Sequence, residues 1–231
     1  KNALKPHLKK QWCIGTITAE YLWRMEQVLD IYERPYDPAY PVVCFDERPC
    51  QLLADVLMPI PMRPGRVERQ DYEYERNGTC VVLMAVEPLA GSRISKVTAQ
   101  RTKKDYAKFM KSLAASYPDA EKIVLVQDNL NTHNPSSFYE TLPAAEAFAL
   151  AQRFEMVYTP KKASWLNMAE IELSALSKQC LDRRIAEMQT LAAEVNNWAK
   201  RRNRLKAGIS WNFTKNDARK KLNRFYESIN N

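Results

Sequence analysis

The chain has 231 residues, 45% of them hydrophobic, so it is long enough to bury a substantial core. Lys and Arg outnumber Asp and Glu by 35 to 27, and the net charge of +8 favours a polyanionic partner. No run of about 20 apolar residues is present, and the first residues lack the apolar stretch of a signal peptide. We therefore expect a soluble intracellular protein without a membrane partner.

The cysteines favour a reducing compartment. The five of them form an odd set without a CxxC pair, and only two histidines could complete a zinc site. Cys44 and Cys80 lie in apolar, strand-like runs, where a thiol packs as a small hydrophobe. We expect reduced thiols in a cytoplasmic protein and no zinc centre.

The N-terminal part predicts a helix that leads into a domain. Residues 16–33 place apolar side chains at helical spacing behind Thr16 or Thr18 as the N-cap. Three prolines in the segment 34–41 then stop the helix. Because the chain begins with Lys inside a basic segment, we expect the natural protein to continue upstream. We interpret residues 1–40 as a helical connector from a missing N-terminal domain and residues 41–231 as the domain that follows.

Two apolar runs predict buried strands that end next to an aspartate. Residues 42–45 lead into Asp46, and residues 123–126 lead through Gln127 into Asp128. Adjacent strands of one sheet would bring the two aspartates to the same edge, where open α/β sheets place their sites. The sequence therefore predicts paired carboxylates at one edge of a sheet.

The remaining pattern alternates strands and helices. Asn77-Gly78 is a strong hairpin signal, which predicts two antiparallel strands over 66–76 and 79–86. Residues 93–99 extend or follow that sheet, and residues 154–158 form a further strand. Helical periodicity covers 103–116, 143–153, 165–180, 187–206 and 214–226. We expect an α/β fold in which a mixed sheet is flanked by helices, with additional N- and C-terminal helices.

A third carboxylate would complete a metal site. The helix over 165–180 carries an apolar stripe that is flanked on opposite sides by Glu170 and Glu172. One glutamate is expected to face the two aspartates, and periodicity alone does not choose between them. Such an oxygen-rich set suits Mg²⁺ or Mn²⁺ rather than zinc, and two such ions cleave phosphodiesters.

Three sequence blocks carry a family resemblance: CFDE, QDNLNTH and YTPKKASWLNMAEIE. In this order they resemble the signature blocks of IS630-type transposases in the wider Tc1/mariner group of DDE enzymes, over residues 41–181. In that family a Leu-Asn pair is followed, after two further residues, by the catalytic glutamate. The pattern falls on Glu170 and leaves Glu172 as the second choice. The sequence departs from the family by Met168-Ala169, where many relatives have Pro-Ile, and by a long separation of the last two acids, 170 − 128 = 42 residues.

The resemblance implies a fold and an activity. The fold would be RNase H-like, and the enzyme would be a DNA transposase that hydrolyses strands at transposon ends and joins the 3′-hydroxyls to target DNA, typically at TA. Two Mg²⁺ or Mn²⁺ ions would be held by Asp46, Asp128 and Glu170. The family implies a homodimer on double-stranded DNA ends, a bacterial nucleoid-associated location and an upstream DNA-binding domain. Two alternatives stay open: a nuclease or resolvase without strand transfer, and a catalytically inactive, transposase-derived DNA-binding protein.

Further side chains are candidates for substrate contacts. His133 could contact a phosphate or a metal-bound water, or steady its own loop through a hydrogen bond. Trp165 could stack on an unpaired base or pack in the core; Trp12, Trp23, Trp198 and Trp211 are assigned to packing or to a partner subunit. Basic side chains are expected to contact DNA phosphates, although a charge run is often a solvated helix face. They are Lys161, Lys162, Arg183, Arg184, Arg201 and Arg202.

Overall fold

The computed structural model describes residues 17–230. The strands of the described chain are β1 (Val42–Asp55), β2 (Tyr74–Glu87), β3 (Ser92–Thr98), β4 (Ile123–Gln127) and β5 (Phe154–Tyr158). The helices are α1 (Ala19–Tyr32), α2 (Lys103–Ala115), α3 (Ser136–Tyr139), α4 (Ala144–Gln152), α5 (Met168–Gln179), α6 (Met188–Arg204), α7 (Lys215–Lys221) and α8 (Asn223–Asn230). A single 3-10 turn, Ser164–Leu166, precedes α5. Trp12 and the Thr16 alternative for the first N-cap lie outside the described residues.

The strands form one mixed sheet in the order β3-β2-β1-β4-β5. β1, β2 and β3 are antiparallel neighbours, whereas β4 and β5 run parallel to β1. Parallel neighbours need a crossover, and helices supply it here. The predicted α/β class, with a mixed sheet flanked by helices, is confirmed.

Helices cover both faces of the sheet. One face buries Val43, Phe45 and alternate residues of β2 against α2, α3 and α4. The opposite face packs against α1, α5 and α6, because side chains alternate along a strand. Cys44 and Cys80 are fully buried on this second face, as expected of thiols that pack as small hydrophobes. The catalytic candidate helix, α5, therefore lies directly on the sheet.

The first helix shares the core of the sheet. Thr18 caps α1, since its side chain accepts a hydrogen bond from the Tyr21 N–H at 3.2 Å. Met25 and Val28 are fully buried and pack in the same cluster as Val124 of β4. Although the sequence analysis assigned residues 1–40 to a connector, α1 is packed as part of the domain. The division at residue 40 remains a prediction.

Two strand predictions were wrong. The first strand does not end at residue 45, because β1 runs on to Asp55 along β2. The predicted hairpin at Asn77-Gly78 does not form, since both residues lie inside β2. The register shifts there, with Gln51 opposite Thr79 and Leu53 opposite Arg76. Two residues of β2 thus face one residue of β1, which is a β-bulge, and Gly78 supplies the positive φ of 110°.

The other elements follow the sequence closely. β4 and β5 fall on the predicted apolar runs, and the predicted helices over 103–116, 143–153 and 187–206 appear as α2, α4 and α6. The predicted tail helix is divided into α7 and α8. Across residues 17–230, no helix is both long and apolar enough to cross a lipid bilayer.

Candidate active site

Asp46 lies where β4 leaves β1. The parallel pairing of these strands ends at Cys44 opposite Val126, while β1 continues beside β2. Extending that register by two residues places Asp128 opposite Asp46. Both carboxylates therefore stand where the carboxyl end of β4 meets the middle of β1, and this opening is the position at which α/β sheets hold their sites.

Asn167 joins this opening to α5. The side chain caps the helix, because its Oδ1 accepts a hydrogen bond from the Ala169 N–H at 3.1 Å. Its Nδ2 donates to the Phe45 carbonyl at 2.8 Å and to Asp46 Oδ2 at 3.2 Å. Asn167 is only 1% exposed, so the start of α5 is fixed against β1. In the sequence, Asn167 is recognisable only as part of the Leu-Asn family motif, and its contact with Asp46 was not predicted.

Glu170 occupies the first turn of α5 and is exposed at the same opening. Its charge is felt by Asp46, whose pKa is raised to about 7. Burial is the main cause, and the negative charges of Glu170, Glu47 and Asp128 add to it. A hydrogen bond from the Glu47 N–H to Asp46 Oδ1, at 2.8 Å, acts in the opposite direction. We call Asp46, Asp128 and Glu170 the carboxylate edge.

Glu172 points to the other side of α5. Its side chain is 1% exposed and lies between two arginines. Arg93 Nε is 2.8 Å from Oε1, and Arg202 donates from Nε to Oε1 at 2.6 Å and from Nη2 to Oε2 at 3.1 Å. The structure therefore brings Glu170, and not Glu172, towards the two aspartates.

His133 is held between two carboxylates. The ring is 2% exposed; Nδ1 contacts Asp128 Oδ1, and Nε2 lies 2.9 Å from Glu47 Oε2. Burial would lower the pKa of His133, but the hydrogen bonds and charges of Asp128 and Glu47 raise it to about 9. Burial would raise the pKa of Asp128, but the hydrogen bond and charge of His133, together with the Leu130 N–H and Arg101, lower it. Of the two roles considered for His133, this arrangement matches the local bond that steadies the loop.

The carboxylate edge has the chemistry of a site for Mg²⁺ or Mn²⁺. Its ligands are all oxygens, and mutual repulsion of their charges contributes to the raised pKa of Asp46. Within residues 17–230, however, no three acidic, histidine or cysteine side chains are gathered closely enough to hold a metal ion. Both oxygens of Asp46 accept hydrogen bonds, from Glu47 and Asn167. Ion binding would therefore require the three carboxylates to turn towards each other.

The predicted DNA-contacting residues differ in their surroundings. Lys161 and Lys162 are exposed on the turn between β5 and α5, and Arg201 is exposed on α6. Arg183 is 54% exposed and pairs with Glu194 at 2.7 Å. Lys178, Arg183 and Arg201 line a cleft of about 490 Å³ between α5 and α6, and so do the acidic Asp182 and Glu194, so bases exceed acids there by one. Lys178 also lines the cleft that contains Glu170 and Glu47, so the basic cleft continues towards the carboxylate edge.

Two of the predicted arginines are used inside the protein. Arg184 donates to Asp55 at 2.8 Å and to the carbonyls of Asp71 and Glu73 at 2.7 and 2.8 Å. Arg202 is bound to Glu172, as described above. The guanidinium groups of Arg184 and Arg202 are therefore part of the fold, and we leave both residues out of the proposed DNA-contacting surface.

Trp165 is 47% exposed although it packs on other rings. Its ring stacks on Trp211 with a centroid distance of 6.3 Å and an interplanar angle of 19°. The edge contact with Phe213 has a centroid distance of 5.8 Å. Trp211 in turn packs on Tyr32 at 5.2 Å. Trp165 therefore packs partly against Trp211 and Phe213 and is partly exposed to solvent.

Comparisons with known proteins agree with this architecture. A sequence model of the family described as DDE superfamily endonuclease matches residues 41–192, which is more than half of the chain. The chain belongs to this family. A search of curated protein sequences found no match.

Solved structures of a transposase share the fold. The Mos1 mariner paired end complex with Mn has 13% sequence identity and a TM-score of 0.58, and the match covers 98% of this chain and 66% of that one. For the catalytic domain of Mos1 mariner transposase the values are 11% and 0.55, with coverage of 95% and 97%. The RNase H-like fold is confirmed. This DDE family chain thus spans just under two thirds of the longer Mos1 chain.

Proposed function

We propose that this DDE family protein is a DNA transposase, which cuts transposon ends by metal-dependent hydrolysis and transfers the 3′-hydroxyl strands into target DNA. The observation that carries the proposal is the carboxylate edge. Asp46 is partly desolvated beside Asp128 and Glu170, and burial, followed by the like charges of Glu170, Glu47 and Asp128, raises its pKa to about 7. In an endonuclease family, carboxylates that converge at one opening, with Asp128 paired to His133, are suited to divalent cations.

Three carboxylates of the chain would bind the metal ions, and two neighbouring side chains would orient these carboxylates. Asp46, Asp128 and Glu170 would bind two Mg²⁺ or Mn²⁺ ions, which supply a nucleophile and stabilise the leaving oxygen. Asn167 orients Asp46 through its amide, and His133 orients Asp128 through its ring. Such outer contacts fix ligand direction, and their removal usually costs about 10–100-fold in metal affinity or activity. Structures of the Mos1 paired end complex with Mn and with Mg also support the use of divalent ions.

The basic cleft is a suitable path for DNA. Lys178, Arg183 and Arg201 line it beside Asp182 and Glu194, and Lys178 is shared with the cleft that contains Glu170. Phosphate contacts of this kind provide most of the sequence-independent affinity. Similar Mos1 structures are described as a paired-end complex with the left transposon end and as a strand transfer complex. By analogy we propose a homodimer on two double-stranded ends and insertion at TA.

Cleavage and strand transfer of labelled transposon-end DNA, with Mg²⁺ or Mn²⁺, test the proposal in the full-length protein. Asp46→Asn, Asp128→Asn and Glu170→Gln should lose both reactions to the detection limit while they still bind DNA. Glu172→Gln is the matched control, which should retain activity at temperatures at which it is folded.

Other outcomes of the cleavage and strand-transfer assay would favour a different function or a different catalytic glutamate. Cutting without joining would indicate a nuclease or resolvase. A folded wild type that binds DNA but never cuts would indicate an inactive DNA-binding descendant. Loss of cutting in a folded Glu172→Gln, with activity kept in Glu170→Gln, would reverse the assignment on α5.

A further inference from the structure

Three aromatic rings form a rigid surface beside the carboxylate edge. Trp165, Trp211 and Phe213, which we call the aromatic platform, contact one another at centroid distances of 6.3 and 5.8 Å. Trp211 is fixed by a hydrogen bond from its Nε1 to the Phe213 carbonyl at 2.8 Å. The Tyr32 hydroxyl donates to the Leu166 carbonyl at 2.7 Å and so anchors the turn that carries Trp165. Trp165 is 47% exposed although its position is fixed by these contacts, so its ring is preorganised to stack with a flat ligand.

The platform lies close to the proposed chemistry. Asn167 follows Trp165 by two positions, so their Cα atoms are within about 7 Å. Asn167 Nδ2 is 3.2 Å from Asp46 Oδ2. Trp165 belongs to the 3-10 turn that leads into α5, and Glu170 lies in the first turn of that helix. A strand whose phosphate reaches the carboxylate edge would therefore have neighbouring nucleotides near Trp165.

Positive charges flank the same rings. Lys161 and Lys162 form the corner of a turn that is closed by a hydrogen bond from the Ala163 N–H to the Pro160 carbonyl at 3.2 Å. Lys162 has a φ of 62°, in a region where Gly or Asn is usual, and both lysines are exposed. From α7, Lys221 Nζ lies 5.1 Å from the centroid of Phe213. An exposed aromatic surface with lysines beside it offers stacking and phosphate contacts together.

We propose that the aromatic platform binds an unpaired nucleotide of the DNA end, with its base stacked on Trp165 and its phosphate near Lys161 and Lys162. The ligand is a single-stranded nucleotide because the faces of paired bases are covered inside a duplex. A buried core role does not account for the exposure of Trp165, and the lysines favour a polyanion over an apolar protein partner. The proposal rests on the proposed function only in that a DNA end is brought to Asp46.

Binding without cleavage tests the platform. The probes are a blunt duplex and the same duplex with a single-stranded thymidine overhang, whose first unpaired position carries a fluorescent purine analogue in a second version. Titrations contain a chelator, so that no strand is cut. The wild type should prefer the overhang and change the analogue's fluorescence. Trp165→Leu keeps an apolar side chain against Trp211 but has no aromatic face, so it should lose the preference by about tenfold, and Trp165→Phe should restore most of it.

Trp23 provides the matched control. It is 57% exposed on α1 and belongs to no ring contact of the platform. Trp23→Leu should therefore behave as the wild type. Lys161→Gln and Lys162→Gly should weaken binding of both DNAs and lower the slope of log affinity against log salt by somewhat less than one each. Glycine at position 162 removes the charge but tolerates the positive φ.

Two results would overturn the platform: an unchanged overhang preference in a folded Trp165→Leu, or an equal loss in Trp23→Leu. The transposase proposal is separable from it. A wild type that stacks the analogue but never cuts end DNA would reject the catalytic reading and keep the platform. Cutting by a wild type that shows no overhang preference would reject the platform and keep the transposase.

Discussion

Two glutamates that are two positions apart on α5 have opposite surroundings. Glu170 is exposed and adds negative charge to an opening that already holds Asp46 and Asp128. Glu172 is buried and lies between Arg93 and Arg202. Both side chains are carboxylates, so the residue type does not distinguish their roles. The difference lies in whether the fold itself provides the positive charge.

The two clusters differ in which groups balance the negative charge of the carboxylates. The guanidinium groups of Arg93 and Arg202 contact the carboxylate oxygens of Glu172 and balance its charge within the folded protein. This cluster holds α5 to β3 and α6. At the carboxylate edge His133 is paired with Asp128, whereas Asp46 accepts hydrogen bonds from the neutral Glu47 N–H and Asn167 amide, and burial together with like charge raises its pKa to about 7. A cation from solution would balance the charge of Asp46, and this need is what distinguishes a candidate metal site from a structural ion pair.

The largest effect on stability is expected at Glu172. Glu172→Gln leaves the buried Arg93 and the partly buried Arg202 without a charged partner, which should cost about 3–5 kcal/mol, because breaking a buried pair strands the remaining charge. For a chain of this size, the melting temperature should fall by roughly 10 °C. Glu170→Gln is the matched change and should leave the melting temperature the same or slightly higher, since it removes repulsion. Thermal unfolding of both variants measures the contrast, and equal melting temperatures would contradict it.

The sequence predicted much of the fold because many elements have local causes. β4 begins with four consecutive apolar residues and β5 is apolar except for Glu155, and the bounds of both strands were found almost to the residue. The hairpin at Asn77-Gly78 was wrong because the same dipeptide serves in a bulge when a long partner strand is available. The sequence could not reveal that β1 continues past Asp46 to pair with β2 over its full length.

Less of the candidate site could be predicted from local pattern. The three acids followed from strand ends and a family motif, but helical periodicity placed Glu170 and Glu172 symmetrically about an apolar stripe. The partners that distinguish them are distant in sequence: Arg202 is 30 residues from Glu172, and Asn167 is 121 residues from Asp46. The position of His133 between Asp128 and Glu47 likewise depends on how β1 and the loop after β4 meet.

The unbalanced charge at Asp46 should appear as a pH dependence of stability. Its pKa is about 7 in the folded protein and near 3.8 when unfolded, so the folded state binds more protons between these values. Stability from this group should therefore fall as pH rises from about 4 to 7 and stay constant above. The difference between wild type and Asp46→Asn, measured by denaturant unfolding with a chelator present, isolates the contribution from that of other carboxyls. Added Mg²⁺ at neutral pH should stabilise the wild type more than Asp46→Asn.

The pKa of His133 keeps this measurement interpretable. His133 has a pKa of about 9, raised from 6.5, so its own contribution is lost only as pH rises above about 6.5. The range below that value reports Asp46 with little interference. A difference curve that is flat from pH 4 to 6, or equal stabilisation of both proteins by Mg²⁺, would show that the carboxylate edge is not short of positive charge.

The smallest effect on stability is expected at Arg183, an exposed arginine that can be compared with the internally bonded Arg184. Arg183 and Glu194 form an ion pair with both side chains about half exposed, so Arg183→Gln should change stability by less than about 1 kcal/mol. Its effect should appear in DNA binding, as a decrease of about one in the slope of log affinity against log salt. Arg184→Gln is the matched control, because that arginine is tied to Asp55 and to backbone carbonyls. It should lower the melting temperature and leave the salt slope unchanged. The opposite pattern would mean that the DNA path runs along the connection between β1 and β2 rather than through the cleft between α5 and α6.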